Sequence, residues 1–289
     1  MRSDWPSMTA GFVCFARGVA TAAPITQATL ADEAARSLLP SPVASLIPRT
    51  GAPWARLAQW PLRVASAGLV DHLALRSAAI DQAVREAVDA GVSQLVLLGA
   101  GLDARAYRME CLGAVTVFEV DHPASQTYKR DRAQSLSPLA KLVRYVPVDF
   151  TKDDLARSLR EAGHSAAEPS VWVWEGVTMY LPREAVSQTL SVVSAASAPN
   201  SRLAVTYMST PAKPIPQGLR RLLDLGLSVV GEPLGANFTR EELAALLQEY
   251  GFSVEQDENS RQWGTRFGGH AQLSLPFRQE RLAVAIKRS

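Results

Sequence analysis

Cysteine is nearly absent from this chain: Cys14 and Cys111 are the only two in 289 residues. They are far apart and match no metal-ligand spacing, so neither a disulfide scaffold nor a cysteine metal centre is expected. They read as two reduced thiols of a cytoplasmic protein. An excess of one charge is missing too. Thirty basic residues face twenty-eight acidic ones, net +2, with no Lys/Arg block of the kind that tracks nucleic acid. No apolar run approaches the ~20 residues that span a bilayer. Ala10–Ala23 is moderately apolar but interrupted by Arg17, and Arg2 is offset by Asp4, so an amphipathic helix is expected there and not a signal peptide.

What is present is 47% hydrophobic and 20% charged residue, ample for a globular protein with a sizeable core. The first ninety residues read as helical, punctuated by Pro24, Pro40, Pro42, Pro48 and Pro53. Leu69, Leu73, Ile80, Val84 and Val88 recur near a 3.6 period, which predicts a helix from Leu62 to Ala90 with Gly91 as its C-cap. From Gln94 onward strands and helices alternate. The expected strands are Gln94–Leu98, Val115–Val120, Leu142–Pro147, Val171–Glu175, Leu203–Met208, Phe252–Gln256 and Leu282–Lys287. Helices are expected at Ala124–Gln134, Thr151–Ala162, Arg183–Ser197, Gly218–Val230 and Thr239–Tyr250. Thr151 with Asp154, and Thr239 with Glu242, resemble capping boxes.

Near-continuous apolar strands between helices specify an α/β fold: a doubly wound, mostly parallel, seven-stranded sheet with an N-terminal helical cap. One domain over 1–289 is expected, with the cap at 1–90, the core at 91–289 and a lid at about 209–238. The lid expectation rests on the proline-rich linker Ser209–Gly218, which leads to a helix outside the regular alternation. Over the carboxyl edge of a parallel sheet, such a helix would be a substrate lid or an inert insertion.

The chemistry concentrates in Gln94-Leu-Val-Leu-Leu-Gly99-Ala-Gly101-Leu-Asp103, followed by Phe118-Glu-Val-Asp121. Gly99 lets the strand reverse sharply, Gly101 admits a close ligand, and Asp121 can accept from two vicinal ribose hydroxyls. Alone, this turn also satisfies the looser G-x-G-x-x-A dinucleotide pattern through Ala104. Two further strand ends separate the readings. Val148-Asp149-Phe150 offers a carboxylate and a ring to an adenine. Trp174-Glu175-Gly176 offers an acid to an amino group, and Arg76 can grip a carboxylate bidentately. Adenine, ribose, ammonium and carboxylate partners together suit S-adenosylmethionine, whereas the pyrophosphate donors and hydride-transfer acid of a nicotinamide enzyme are not found.

With these residues assembled, the chain resembles the leucine carboxyl methyltransferase family, including its bacterial small-molecule members. Arg76, Gly99–Arg105, Glu119-Val-Asp121-His-Pro123, Val148-Asp149-Phe150 and Glu175-Gly-Val-Thr-Met-Tyr180-Leu-Pro fall in the family's order and spacing. Ser7–Ala10 with Arg17 looks like its N-terminal element, and Gly231-Glu-Pro233 with Leu243–Phe252 like its C-terminal one. The resemblance implies S-adenosylmethionine as methyl donor and a carboxylate or hydroxyl oxygen as acceptor. It implies Arg76 and Gly99 at the methionine end, Asp121 on the ribose, Asp149 and Phe150 at the adenine, Glu175 on the amino group, and Tyr180 facing the methyl. The chain departs from the family at Thr21–Thr29 and around Pro211–Pro216, where substrate would sit.

Tyr180 and Tyr207, at the carboxyl edge of strands four and five, are the candidates for acceptor contact. A carboxylate acceptor needs no base, while a phenol or alcohol would draw on His or Tyr. Among the histidines, His72 reads as a core or interface residue, His122 as turn-forming, His164 as solvated and His270 as a loop residue. Trp172 and Trp174 are expected to pack under the sheet's helices. Trp5, Trp54, Trp60 and Trp263 are read as pocket lining or as ordinary packing. Arg105 and Arg108 are expected to be structural ion-pair partners. The leading expectation is an O-methyltransferase acting on a small acid or phenol of secondary metabolism, with no nucleic-acid or membrane partner and no metal. A homodimer is left open. The alternatives are an NAD(P)-dependent oxidoreductase, a non-catalytic S-adenosylmethionine-binding protein, and a methyltransferase acting on a protein carboxylate.

Overall fold

The computed structural model describes residues 8–22, 32–49, 51, 54–66, 68–150, 152–210, 235–268 and 277–288. The cap begins with α1 (Met8–Ala22), α2 (Ala34–Leu38), α3 (Ser41–Ala44), α4 (Ala55–Ala65) and α5 (Leu69–Asp89). Strands and helices then alternate: β1 (Gln94–Leu98), α6 (Arg105–Arg108), β2 (Thr116–Asp121), α7 (Pro123–Ala133), β3 (Leu142–Pro147), α8 (Leu155–Glu161), β4 (Ser170–Trp174), α9 (Arg183–Ala195) and β5 (Arg202–Ser209). The chain ends with β6 (Asn237–Phe238), α10 (Arg240–Glu249), β7 (Phe252–Asn259), α11 (Ser260–Phe267) and β8 (Glu280–Lys287).

The strands lie in the order β3-β2-β1-β4-β5-β8-β7, and β6 adds two residues beside the end of β5. Strands β1 to β5 run parallel, and β8 runs antiparallel between β5 and β7. Every residue of the central strands β1 and β4 is buried, because helices cover both faces. One face packs α5 against β1, with Trp263 and Phe267 of α11. The other packs Trp172 and Trp174 of β4 against Val186 and Leu190 of α9 and Leu243 and Leu247 of α10. A third cluster joins α1 and α2 to Leu102 and Tyr128.

All seven predicted strands are present, and three predicted features change. The expected 62–90 helix is two helices. It breaks before Gly68, whose φ of 80° lies in the left-handed region that a residue with a Cβ disfavours. The helix expected from Thr151 instead starts after Asp154, whose carboxylate caps the Arg157 N–H. Arg17 does not lie on an exposed polar face; it is buried against Asp32 and the Leu102 carbonyl. The Thr239–Glu242 capping box forms with both of its hydrogen bonds. The predicted 218–230 helix, most of the 209–238 lid, Trp5 and His270 lie outside the described residues. No described helix is long and apolar enough to cross a membrane.

Candidate active site

In a parallel sheet the strand ends and the following turns gather along one edge, where backbone N–H groups and side chains are left to meet a ligand. Here β1 leaves that edge into Gly99–Gly101. The Gly99 and Ala100 amides both donate to the Val120 carbonyl at 2.9 Å, which ties the turn to the end of β2. Both glycines have positive φ. A Cβ on Gly99 would come within 2.8 Å of Val177, and one on Gly101 within 3.1 Å of Ala10. The Gly101 amide donates to Asp121 Oδ2 at 2.5 Å, and the His122 amide to Oδ1 at 2.6 Å. The predicted pair of turn and acid is therefore one hydrogen-bonded unit.

Glu175 follows β4. Gly176, with φ of 68°, donates its amide to the Thr206 hydroxyl, which bends the chain so that Glu175 faces Arg76 and Arg105. Arg76 reaches Glu175 Oε1 from Nε at 3.0 Å and Glu280 Oε1 from Nη1 at 2.8 Å. Arg105 meets Glu175 at 3.0 Å, Asp81 at 2.8 Å, and also Asp103. Burial alone would raise the Glu175 carboxyl, but Arg105 and Arg76 outweigh it and hold it at about 2. Glu280 is likewise raised by burial and brought down to about 2, chiefly by Arg76 and by the His72 hydrogen bond.

These pairs form one continuous buried network. From Glu175 it runs through Arg105 to Asp81, then Arg108, Asp32 and Arg17. In the other direction it runs through Arg76 to Glu280 and His72. Among the described residues, and with Asp103, it holds four guanidiniums against five carboxylates, one carboxylate in excess. A buried unbalanced charge is costly unless a counter-charge arrives.

The structure brings Arg76, Gly99, Gly101, Asp121 and Glu175 to this edge. Asp149 lies at the end of the neighbouring β3 with its carboxylate 2.9 Å from Lys152, and Phe150 is 46% exposed. Tyr180 ends a short 3-10 turn, Thr178–Tyr180, that follows Glu175. The Gly235 and Ala236 amides donate to the Met179 and Leu181 carbonyls on either side of Tyr180, so the last part of the expected lid is docked there.

Tyr207 is not brought to this group. Its ring is fully buried among the α9 and α10 contacts, and its hydroxyl donates to Asp257 at 2.8 Å, which leaves no surface for an acceptor. His164 is not solvated: it is buried between Phe118 and Trp172 with Nε2 at the Ser170 hydroxyl, and burial lowers it to about 4. Trp263 is buried against His72. Trp54 and Trp60 are more than half exposed. His122 caps α7 through Nδ1, and Arg105 and Arg108 are ion-pair partners, as expected.

Sequence reading missed Glu280, His72 and Asp81 as members of the network. His72 and Asp81 share α5 with Arg76, and the presence of a histidine and an acid within five residues of that arginine on one helix was the available signal. Glu280 gave none, because only the antiparallel return of β8 brings it beside β5.

A seven-stranded order with an antiparallel strand between the fifth strand and the edge defines a Rossmann-like methyltransferase fold. The chain is similar in structure to a putative methyltransferase from Thermobifida fusca YX, covering 99% of this chain and 96% of that one at TM-score 0.56 and 17% identity. It is also similar to a DUF574 family protein from Streptomyces avermitilis MA-4680, with coverages of 84% and 94%, TM-score 0.57 and 17% identity. Both likenesses speak to the fold.

In sequence, a protein of Mycobacterium bovis (strain BCG / Pasteur 1173P2) named "Putative S-adenosyl-L-methionine-dependent methyltransferase" is 34% identical over 262 residues, 87% of this chain and 81% of its own length. One of the same name from Mycobacteroides abscessus is 37% identical over 201 residues, covering 64% of this chain and 63% of its own. The family model described as leucine carboxyl methyltransferase matches residues 10–194. The chain belongs to the leucine carboxyl methyltransferase family.

Proposed function

We propose that this protein is an S-adenosylmethionine-dependent O-methyltransferase acting on a carboxylate or hydroxyl of a small acid or phenol. The observation that carries the reading is the meeting of a glycine turn, the Asp121 carboxylate and the Arg76–Glu175–Arg105 cluster at one sheet edge. These residues fit the cofactor. Gly99 and Gly101 keep the turn tight against Val177 and Ala10, Asp121 accepts from the cofactor's ribose hydroxyls, and Glu175 receives its ammonium. Arg76 has five N–H donors, of which the Glu175 and Glu280 contacts engage Nε and one on each Nη, so among the described residues two remain for its carboxylate. Asp149 and Phe150 serve the adenine. Charge supports this choice over a nicotinamide dinucleotide, whose pyrophosphate would add negative charge beside Asp121 and a network already one charge negative.

When bound, S-adenosylmethionine supplies a methyl group on an activated sulfonium. The protein's part is to fix the acceptor oxygen in line with that methyl and to keep water out. Tyr180 is the acceptor contact, on the turn to which the Gly235–Ala236 backbone is docked. A carboxylate acceptor arrives ionised, so no general base is assigned.

Transfer of isotopically labelled methyl groups to a panel of small acids and phenols tests the proposal. Labelled ester or ether is the expected product. Cofactor binding without transfer to any member would favour the non-catalytic reading.

A further inference from the structure

The buried network reaches well beyond the residues that would touch a ligand, and its members are not in charge balance. Glu280 sets the imbalance. Its Oε1 accepts from Arg76 at 2.8 Å, and its Oε2 lies 2.5 Å from His72 Nε2. His72 is fully buried against Phe277 and Trp263, and its Nδ1 has no hydrogen-bond partner among the described residues. Glu280 is thus the second carboxylate on an arginine that Glu175 already neutralises. Of the neighbouring charged groups among the described residues, Asp71 pairs with Arg63 and Glu119 with Lys129 at 2.6 Å, while Asp121 adds a further carboxylate at the same edge.

Resting on the reading above, we propose that Glu280 is a charge-setting residue that tunes the cofactor site for a ligand of net charge +1, separating the methylated donor from its spent form. S-Adenosylmethionine carries an ammonium, a sulfonium and a carboxylate, net +1. S-Adenosylhomocysteine, whose sulfur keeps the electron pair of the broken bond, is net neutral. One negative charge buried in the network is balanced by the first and left unbalanced by the second. The site would then loosen its hold on the product once the methyl has gone. Glu280 acts through Arg76 and Glu175 and is a positioning residue, not a catalytic one.

Calorimetric titration of the full chain with each ligand tests this. The readout is the ratio of the dissociation constant for S-adenosylhomocysteine to that for S-adenosylmethionine. Glu280→Gln keeps the shape: its amide oxygen still accepts from Arg76, and its NH2 can donate to a His72 that has switched tautomer. Only the charge is removed. At an effective dielectric constant of about 20, one charge on the order of 10 Å from the sulfonium changes affinity by about tenfold, and screening lowers this. The ratio should therefore fall by at least about threefold in Glu280→Gln. A smaller fall in the same direction is expected in Asp32→Asn, which removes a charge at the far end of the network without touching Arg76. Glu161→Gln, in an exposed ion pair with Arg157, should leave the ratio unchanged. General loosening of the fold would weaken both ligands together and leave the ratio where it was. Both ligands binding Glu280→Gln and Asp32→Asn with the wild-type ratio would overturn the charge-setting role alone. Failure of both to bind the wild-type chain would overturn the S-adenosylmethionine reading itself.

Discussion

Arg105→Met gives the sharpest stability test. Arg105 has no exposed surface and contacts three carboxylates: Asp81, Asp103 and Glu175. If it is removed, Asp81 keeps Arg108 and Glu175 keeps Arg76. Asp103 keeps no cation within ion-pair distance among the described residues. One carboxylate is then stranded beneath the glycine turn. Breaking a buried pair from one side costs about 3–5 kcal/mol, because the orphaned charge stays desolvated. For a chain of this size that corresponds to a fall in Tm of roughly 10 °C. Urea and thermal unfolding followed by circular dichroism would measure it. Adding Asp103→Asn should recover part of the loss, because the stranded charge is then gone. An Arg105→Met protein within about 1 kcal/mol of wild type, the range of an ordinary substitution, would refute the picture of a tightly coupled network.

Three further outcomes follow from the same geometry. Asp121→Ala should weaken S-adenosylmethionine binding by about 1.5–3 kcal/mol, typical of hydrogen bonds to a charged group, and unchanged affinity would remove the ribose assignment. Tyr180→Phe should lower turnover or acceptor affinity. Tyr207→Phe should cost only the hydrogen bond to the Asp257 carboxylate, about 1.5–3 kcal/mol of stability, and leave acceptor affinity intact; the reverse pattern in kinetics would exchange their roles. His164 falls from its ordinary 6.5 to about 4 on folding because burial disfavours the charged ring. The unfolded chain therefore binds the extra proton first. The stabilising contribution is complete above pH 6.5 and is lost as pH falls towards 4, at most roughly 3 kcal/mol. His164→Gln should flatten that part of the stability profile, and identical slopes in the two proteins between pH 6.5 and 4 would show the shift to be absent.

Much of the sheet could be read from sequence because its strands announce themselves locally. Gln94–Leu98 and Leu142–Pro147 are apolar enough, and bounded sharply enough, to be located to the residue. The Gly99–Asp121 pairing was equally open, since a glycine turn followed by an acid at the next strand end is one motif of fixed geometry. Side-chain direction was less legible. Tyr207 sits on a strand whose alternate residues face opposite sides, and nothing in its neighbours told which face would hold the site. His164 reads as solvated from its polar surroundings, yet the turn folds it onto Phe118 and Trp172. Arg76 was found and its setting was not, because Glu280 lies 204 residues away and meets it only through the antiparallel return of β8. The break before Gly68 was hidden for another reason: the periodic residues, Leu69 to Val88, all lie beyond it and say nothing of where the helix starts.

Titration of the wild-type chain with S-adenosylmethionine, S-adenosylhomocysteine and NAD in parallel bears most directly on what this sheet edge was built to hold. Saturable binding of the two sulfur ligands, one per chain, with no response to NAD is the predicted result. Saturable binding of NAD with silence from both sulfur ligands would contradict the account.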